Sequence, residues 1–333
     1  MIWTEGYTAR YYMTTVDPVT WKDVDKYEIK GGSISKVDTN LCESANLSLG
    51  DIPQGIERWV RIYLVATKMG SGARAPLFTG LLSCPRNLWT GRLLNREAEC
   101  FSVLKPAEDI LLERGWYAPA GAVGASVIKE LLSVVAPVNV IGVSPKLSSN
   151  LIAENDENGL TMAYKILQSI GWRLRITGAG EIQILPKASE ALATYDNAHI
   201  DVLKPNVTDE QDLFSVPNCF RAIKDEFVAV AKDEADDSPF SIQNRGRPVW
   251  KQETDCALTS GESIAEYAMR RLKELQAPAR TVSYTKRFDP ETVPGDIVRI
   301  HYPQQKIDAD FRITSQTITL GEGAHTEEEG VMI

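Results

Sequence analysis

Few residues in this chain have the types and spacing that catalysis requires. There are three histidines, His199, His301 and His325. His301 follows Ile300 in an alternating run, where a surface or interface histidine is expected. His325 lies beside an acidic stretch and reads as a solvated residue. The five cysteines, Cys42, Cys84, Cys100, Cys219 and Cys256, are odd in number, and no two form a CxxC pair. That pattern disfavours a disulfide framework or a zinc site. It fits reduced thiols made in a cytoplasm. Cys219 and Cys256 are nucleophiles by type alone. No sequence neighbour supplies a base, so packing as small hydrophobes is the expected role.

Asp308 and Asp310 lie one residue apart. Such a pair can hold a cation or serve a glycosidase as acid and base. With no second motif in support, a solvated turn is the simpler reading. Gly178-Ala179-Gly180 joins two alternating runs, which is the wrong place for a phosphate loop. Trp3, Tyr7, Tyr11 and Tyr12 have the composition of a sugar or peptide platform. They suit a packed β face or a subunit interface equally well, and either of these is favoured over a platform. HExxH, GxSxG and Walker A sequences are absent. No catalytic, cofactor-binding or metal-binding residue is assigned, and no cofactor is expected.

The elements that would position any site are mostly strands at both ends. In residues 58–65, Val60, Ile62 and Leu64 fall on one face and Arg61 and Tyr63 on the other, a half-buried strand. Residues 21–37 read as strand broken at Gly31-Gly32. Residues 76–83 and 92–104 continue the pattern, which fits a small barrel or sandwich. Pro106 marks a change. A short helix is expected over 107–114, and a second capped by Ser126 carries Val127, Ile128, Leu131, Leu132 and Val135 before Pro137. Thr161 is a candidate cap for a helix with Ala163, Tyr164, Leu167 and Ile170 on one face, ended by Gly171. A hairpin follows, Trp172 to Ile176 and Ile182 to Pro186.

The last third reads as strands at 218–231, 281–288, 297–300 and 311–320, the last taken as the final strand. One helix interrupts them, capped by Ser260 or Ser263 and closed by Pro278, with Ile264, Ala268, Leu272 and Leu275 buried. The acidic Glu327-Glu328-Glu329 tail is expected to fray.

The 333 residues are enough for two or three domains, and 43% are apolar, enough to bury real cores. The net charge of −9 argues against a general nucleic-acid binder or a surface held to anionic lipid. The charge is uneven. Residues 1–104 carry twelve basic and eleven acidic side chains, whereas 197–333 carry sixteen and twenty-four. The N-terminus lacks the features of a signal peptide, and no apolar run approaches the roughly 20 residues of a membrane helix.

Three stretches carry a family likeness. They are Pro76-Leu77-Phe78-Thr79-Gly80-Leu81; Gly159 to Leu167 with Trp172 and Gly180 to Pro186; and Ser241 to Arg247, the 264–275 helix, and Val293-Pro294-Gly295-Asp296-Ile297-Val298. In this order and spacing the chain resembles baseplate hub proteins of phage tails, the late control D or XkdQ-like tail protein family. The resemblance implies a mainly β fold with an α+β insert: two related, tube-like β-barrels with a small helix and hairpin domain between them. The expected division is a first barrel at 1–104, an inserted α/β domain at 105–196, and a second barrel with one helix (about 262–276) at 197–333.

The resemblance also implies a scaffold without catalytic residues, in the tail tip of a virion or a phage-derived bacteriocin and made in the host bacterial cytoplasm. Three copies would form a ring that joins the tail tube to the central spike. Its partners would be its own copies (a homotrimer), the spike or puncturing protein, the tail tube or its distal initiator ring, the baseplate wedge proteins and the tape measure protein. Sequence-specific nucleic-acid binding and a membrane anchor are not expected. A neutral or negative lumen would let DNA slide past, although the same charge also serves solubility. Some relatives bear long C-terminal extensions, and none is expected after residue 333. The competing readings are a tail-associated cell-wall hydrolase and a host-glycan-binding module. The first needs a carboxylate cleft or a Cys/His pair, and the second rests on the early tyrosines.

Overall fold

The alternating runs of the first hundred residues pair into a closed ring of strands. The computed structural model describes residues 7–39, 41–51, 58–68, 71–133, 136–154, 157–196, 207–211, 214–254, 256, 258, 261–276, 280–321 and 325–333. Trp3, Val135, His199, Ser260 and Pro278 lie outside them, as does the side chain of Cys84. Six strands form the ring: β1 (Thr8–Val16), β2 (Asp23–Val37), β3 (Glu43–Leu49), β4 (Arg58–Lys68), β5 (Ser71–Thr90) and β6 (Leu93–Ser102). The order is β1-β4-β5-β6-β3-β2, and β2 pairs back onto β1. Every pair is antiparallel. Ile34, Leu47, Ile62, Leu64 and Phe78 fill the interior.

The expected break at Gly31-Gly32 is instead a bulge within one continuous strand. Gly32 has φ +141°, and a Cβ there would lie 2.1 Å from the Asn46 carbonyl oxygen. A second difference concerns β4. Arg61 and Tyr63, expected on a solvated face, are buried. The residues that follow the barrel fold back and cover that face.

Those residues form α1 (Lys105–Asp109), β7 (Tyr117–Ala118), α2 (Gly124–Leu132), β8 (Val138–Val140), β9 (Leu151–Ile152), α3 (Gly159–Ile170), β10 (Trp172–Ile176) and β11 (Ile182–Pro186). Ile128, Leu132, Met162 and Ile166 of the helices pack on Ile182 and Ile184 of the hairpin. The α3 cap is Asn158, whose side chain accepts from the Thr161 amide at 2.8 Å, so Thr161 sits in the first turn. Gly171 ends α3 in the left-handed region, as its position implied. Ser126 lies inside α2, which has no side-chain cap. The first helix ends at Asp109, short of the expected 114.

The last part contains β12 (Ala191–Tyr195), β13 (Val207–Gln211), β14 (Cys219–Lys224), β15 (Phe227–Lys232), α4 (Ile242–Arg245), β16 (Trp250–Glu253), α5 (Ile264–Gln276), β17 (Arg280–Arg287), β18 (Ile297–Tyr302), β19 (Ile307–Leu320) and β20 (His325–Met332). Six of these strands make a second sheet in the order β12-β18-β19-β20-β17-β13. Numbered by chain position, both six-stranded units read 1-4-5-6-3-2. They are joined where the C-terminal half of β19 pairs with β2, from Ser315 opposite Val37 to Leu320 opposite Gly32. By its pairing, β12 belongs with this second sheet although it precedes residue 197.

Between β13 and β17 the chain departs to build a separate unit. Here β15, β14 and β16 form a sheet backed by α5. Phe220, Ala231, Tyr267, Ala268 and Leu272 are its core, and Ile264 and Leu275 pack on its margin. Helix α5 opens with a capping box. The Ser263 hydroxyl accepts from the Glu266 amide at 3.2 Å, and the Glu266 carboxylate accepts from the Ser263 amide at 2.8 Å.

The acidic tail does not fray. It is β20, held between β17 and β19. Thr326, Glu328 and Gly330 point inward while Glu327 and Glu329 face out. The period of two was present in the sequence, but the run of three glutamates hid it. Among the described residues no helix is long and apolar enough to cross a membrane.

Candidate functional site: a three-way structural junction

Parts of the stretches that carried the family likeness meet in space: Pro76 to Thr79, the β10–β11 hairpin and the 293–296 turn. The β10–β11 turn, Gly178-Ala179-Gly180, is pressed onto the outside of the first barrel. The Ala179 carbonyl accepts from the Arg61 guanidinium at 2.9 Å and from the Trp21 indole at 3.0 Å. The Gly178 carbonyl accepts from the Thr79 hydroxyl at 2.7 Å. A Cβ on Gly178 would lie 1.9 Å from the Pro76 carbonyl oxygen, so only glycine allows this approach. Beneath the turn, Asp23 accepts from Arg61 at 3.0 Å, Tyr63 at 2.7 Å and Arg74 at 2.8 Å. Burial alone would raise the Asp23 carboxyl, but the Tyr63 hydroxyl, Arg61, Thr14 and Arg74 together hold it below its ordinary value.

The same hairpin grips the second sheet. Buried Arg173 on β10 donates to Asp296 at 2.5 Å and to the Pro294 carbonyl at 3.2 Å. Asp296 also accepts from the Val293 amide at 3.0 Å, which closes the Val293-Pro294-Gly295-Asp296 turn. Gly295 has φ +88°, and a Cβ there would lie 2.2 Å from Arg173 Nη1. One hairpin is thus held to both sheets by a charged residue of its own or of its partner.

Inside the second sheet lies a polar cluster that sequence reasoning missed. Lys286 Nζ is 3.2 Å from Glu328 Oε1, and both side chains are buried. Lys286 also donates to Tyr195 at 2.5 Å and to Thr292 at 2.9 Å. Glu328 accepts from Tyr284 and from Gln316, each at 2.7 Å. Burial pulls the Lys286 ammonium down, but Glu328 and Tyr195 outweigh it and hold it above its ordinary value. A second buried pair, Lys36 and Glu43 at 3.3 Å, ties β2 to β3. Burial pushes the Glu43 carboxyl up to about 7 against the pull of Lys36. The signal for Lys286 was its place in an alternating run; the partner strand could not be identified without the fold.

The residues considered for chemistry are scattered. Cys219 and Cys256 are buried in the α/β unit, and burial raises both thiols, the opposite of activation. Cys42 lies 2.9 Å from the Tyr164 hydroxyl, and burial pushes it up to about 12. Asp308 is exposed and Asp310 half-buried, and both bridge to Arg299, at 2.8 and 3.4 Å. The Asp308 carboxyl also meets His301 at 3.4 Å and is held below its ordinary value, first by its His301 hydrogen bond. A general acid needs the reverse shift.

His325 is on β20, 3.2 Å from the Thr319 hydroxyl. Tyr7 and Tyr11 pack against the first barrel core. Tyr12 stacks on Tyr63, with Lys26 above it at 4.1 Å. The three tyrosines therefore do not form one platform. Among the described residues no group of three or more His, Cys, Asp or Glu is placed to hold a metal ion.

No protein-family model matches the sequence, and no curated protein matches it either. Solved structures do. A tail protein from Neisseria meningitidis MC58 superposes with a TM-score of 0.69 at 13% identity, over 98% of this chain and 97% of that one. The 43 kDa tail protein of prophage MuSo2 from Shewanella oneidensis gives 0.69 at 10% identity, with the same shares. Prophage tail protein gp18 from Listeria monocytogenes EGD-e gives 0.57 at 12% identity, over 97% and 94%. At such identities the likeness is one of fold, and it spans both sheets and both smaller units. The chain has the fold of phage tail proteins.

Proposed function

We propose that this chain is the structural hub of a phage-type tail tip, three copies of which close into a ring between the tail tube and the central spike. The observation that carries this reading is the pair of six-stranded units with one strand order, joined edge to edge through β2 and β19. A tube of sixfold symmetry can seat on three chains if each offers two similar units. Whole-chain likeness to prophage tail proteins supports the same reading. The role is non-enzymatic: the buried polar clusters tie strands together, and Arg299 bridges the Asp308–Asp310 pair.

In this reading the chain resides in the tail tip and meets the spike, the tube or its initiator ring, the wedge proteins and the tape measure protein. The net charge of −9 disfavours a general grip on the phosphates of passing DNA. The domains are taken as a first barrel, an α/β insert and a second barrel interrupted by its own α/β unit. The test is stoichiometry in isolated tails by quantitative mass spectrometry. Three hub copies per six-subunit tube ring are expected. One or six copies per tube ring would overturn the reading, as would cell-wall lysis by the purified chain that is lost on changing a single acidic residue or cysteine.

A further inference from the structure

Two exposed surfaces at opposite ends of the sequence are complementary. The first is the tip of the β5–β6 hairpin. Residues 86–90 of β5 extend past the last β4 pairing, at Arg58 opposite Leu82, and pair only with β6. Residues 86–96 contain Arg86, Arg92 and Arg96, and Glu97 on β6 lies directly opposite Arg86. Trp89 is 65% exposed, and Leu88, its neighbour along the strand, points to the opposite face of the hairpin. Arg86 and Arg92 are exposed, whereas Arg96 is held by the Gly50 carbonyl at 2.7 Å.

The second surface is the open face and edge of the β15-β14-β16 sheet. Helix α5 covers one face through Phe220, Ala222 and Ala231. The other presents Val228, Val230 and Trp250, each about half exposed or more. Among the described residues β15 has β14 on one side and no strand on the other. An exposed, apolar, unpaired strand is an invitation to pairing. Both ends of β15 carry an acidic excess, with exposed Asp225 and Glu226 before it and exposed Glu234, Asp236 and Asp237 after it, against Lys224 and Lys232, while Arg221 stands over Trp250. Two copies of β15 laid antiparallel would set acid against acid, so this edge is charged against itself.

We infer that the β5–β6 hairpin tip of one copy docks on the β15 face of the next. Trp89 covers Val228 and Val230, and Arg92 reaches the acidic 234–237 end of β15. Both surfaces are exposed in the single chain, so the contact forms between copies. It joins unlike patches, and contacts of that kind propagate head to tail until a ring closes. The identity of the partner as a second copy rests on the ring reading above, but the contact has its own readouts.

The test places a photo-crosslinking amino acid at position 89 of the full chain in assembled tails. Irradiation should give a two-copy adduct, and the attachment should map within residues 226–253. A two-copy adduct mapping elsewhere, an adduct only to a different protein, or no adduct would overturn this contact. Copy number in the same tails reads the ring itself, so three copies without this adduct would remove the contact and keep the ring. A charge exchange gives the second arm. Arg92→Glu should weaken copy–copy association at least tenfold, and adding Asp236→Lys and Asp237→Lys in the same chain should restore it. An unchanged association in Arg92→Glu, with unchanged thermal stability, would also overturn the contact.

Discussion

The two six-stranded units share a strand order and differ in how they are held. The first closes through β1, which is antiparallel to both its neighbours, and its interior is apolar apart from the Lys36–Glu43 pair at one end of β2 and β3. The second begins with β12, which runs parallel to β18, and buries Lys286, Glu328, Gln316 and Thr292 among its aromatic residues. A strand entering from the α/β insert arrives in the opposite sense to one that starts the chain. The polar cluster then ties β12, β17, β19, β20 and the β17–β18 loop to one another through Tyr195, Lys286, Gln316, Glu328 and Thr292. One topology therefore tolerates two kinds of core. The apolar one is stabilised by packing, and the polar one also fixes which strands meet, because misregister would strand a charge.

The largest test of that contrast is Lys286→Met. It leaves Glu328 buried without its cation and should cost about 3–5 kcal/mol. Adding Glu328→Gln should recover part of the loss, since the amide carries no charge and still accepts from Tyr284. Urea denaturation followed by tryptophan fluorescence reads both. If the single variant keeps the wild-type midpoint, the cluster is not what holds the second sheet.

A comparable effect should stay local when Leu272→Asp is made in α5. A charge among Phe220, Ala231 and Tyr267 should cost several kcal/mol, roughly, without affecting the first barrel. Hydrogen exchange should then show protection lost across 214–276 and retained in β4 and β5. Loss in all regions together would mean that the α/β unit has no separate stability.

These regions also show what was legible in the sequence. The strands with clean alternation, β4, β10, β11 and β18, lie where the period of two put them. The glycine-dependent turns at 178–180 and 293–296 could be seen as turns. Their role in joining three units could not, because it depends on Arg61 and Arg173, whose partners lie more than a hundred residues away. Strand β20 was hidden because a run of glutamates looks solvated unless the buried lysine opposite is known. The α/β unit at 214–276 looked like part of a barrel because its strands alternate like the rest. Only the pairing order separates them.

A smaller effect is expected at Glu43 in the first barrel. Its folded carboxyl titrates near 7, above the ordinary value of 4.5. A raised carboxyl stabilises the protein fully below the unfolded value, and the contribution is lost as pH rises through 7. Across pH 4.5 to 8 the difference in stability between wild type and Glu43→Gln should therefore change by about 3 kcal/mol, with wild type losing ground at the higher pH. A constant difference would mean that Lys36 keeps Glu43 ionised throughout. The smallest effect belongs to Asp308→Asn on the exposed β18–β19 hairpin. It should leave the urea midpoint and assembly unchanged, and a shifted midpoint would give this exposed cluster a structural role.

The pairing of two similar units in one chain is tested most directly by a reconstruction of the intact tail tip without imposed symmetry. The account predicts three copies around the axis, with six barrels alternating first, second, first, second, and each first unit beside the second unit of the next copy. Six copies in true sixfold symmetry, or a single copy on the axis, would contradict it.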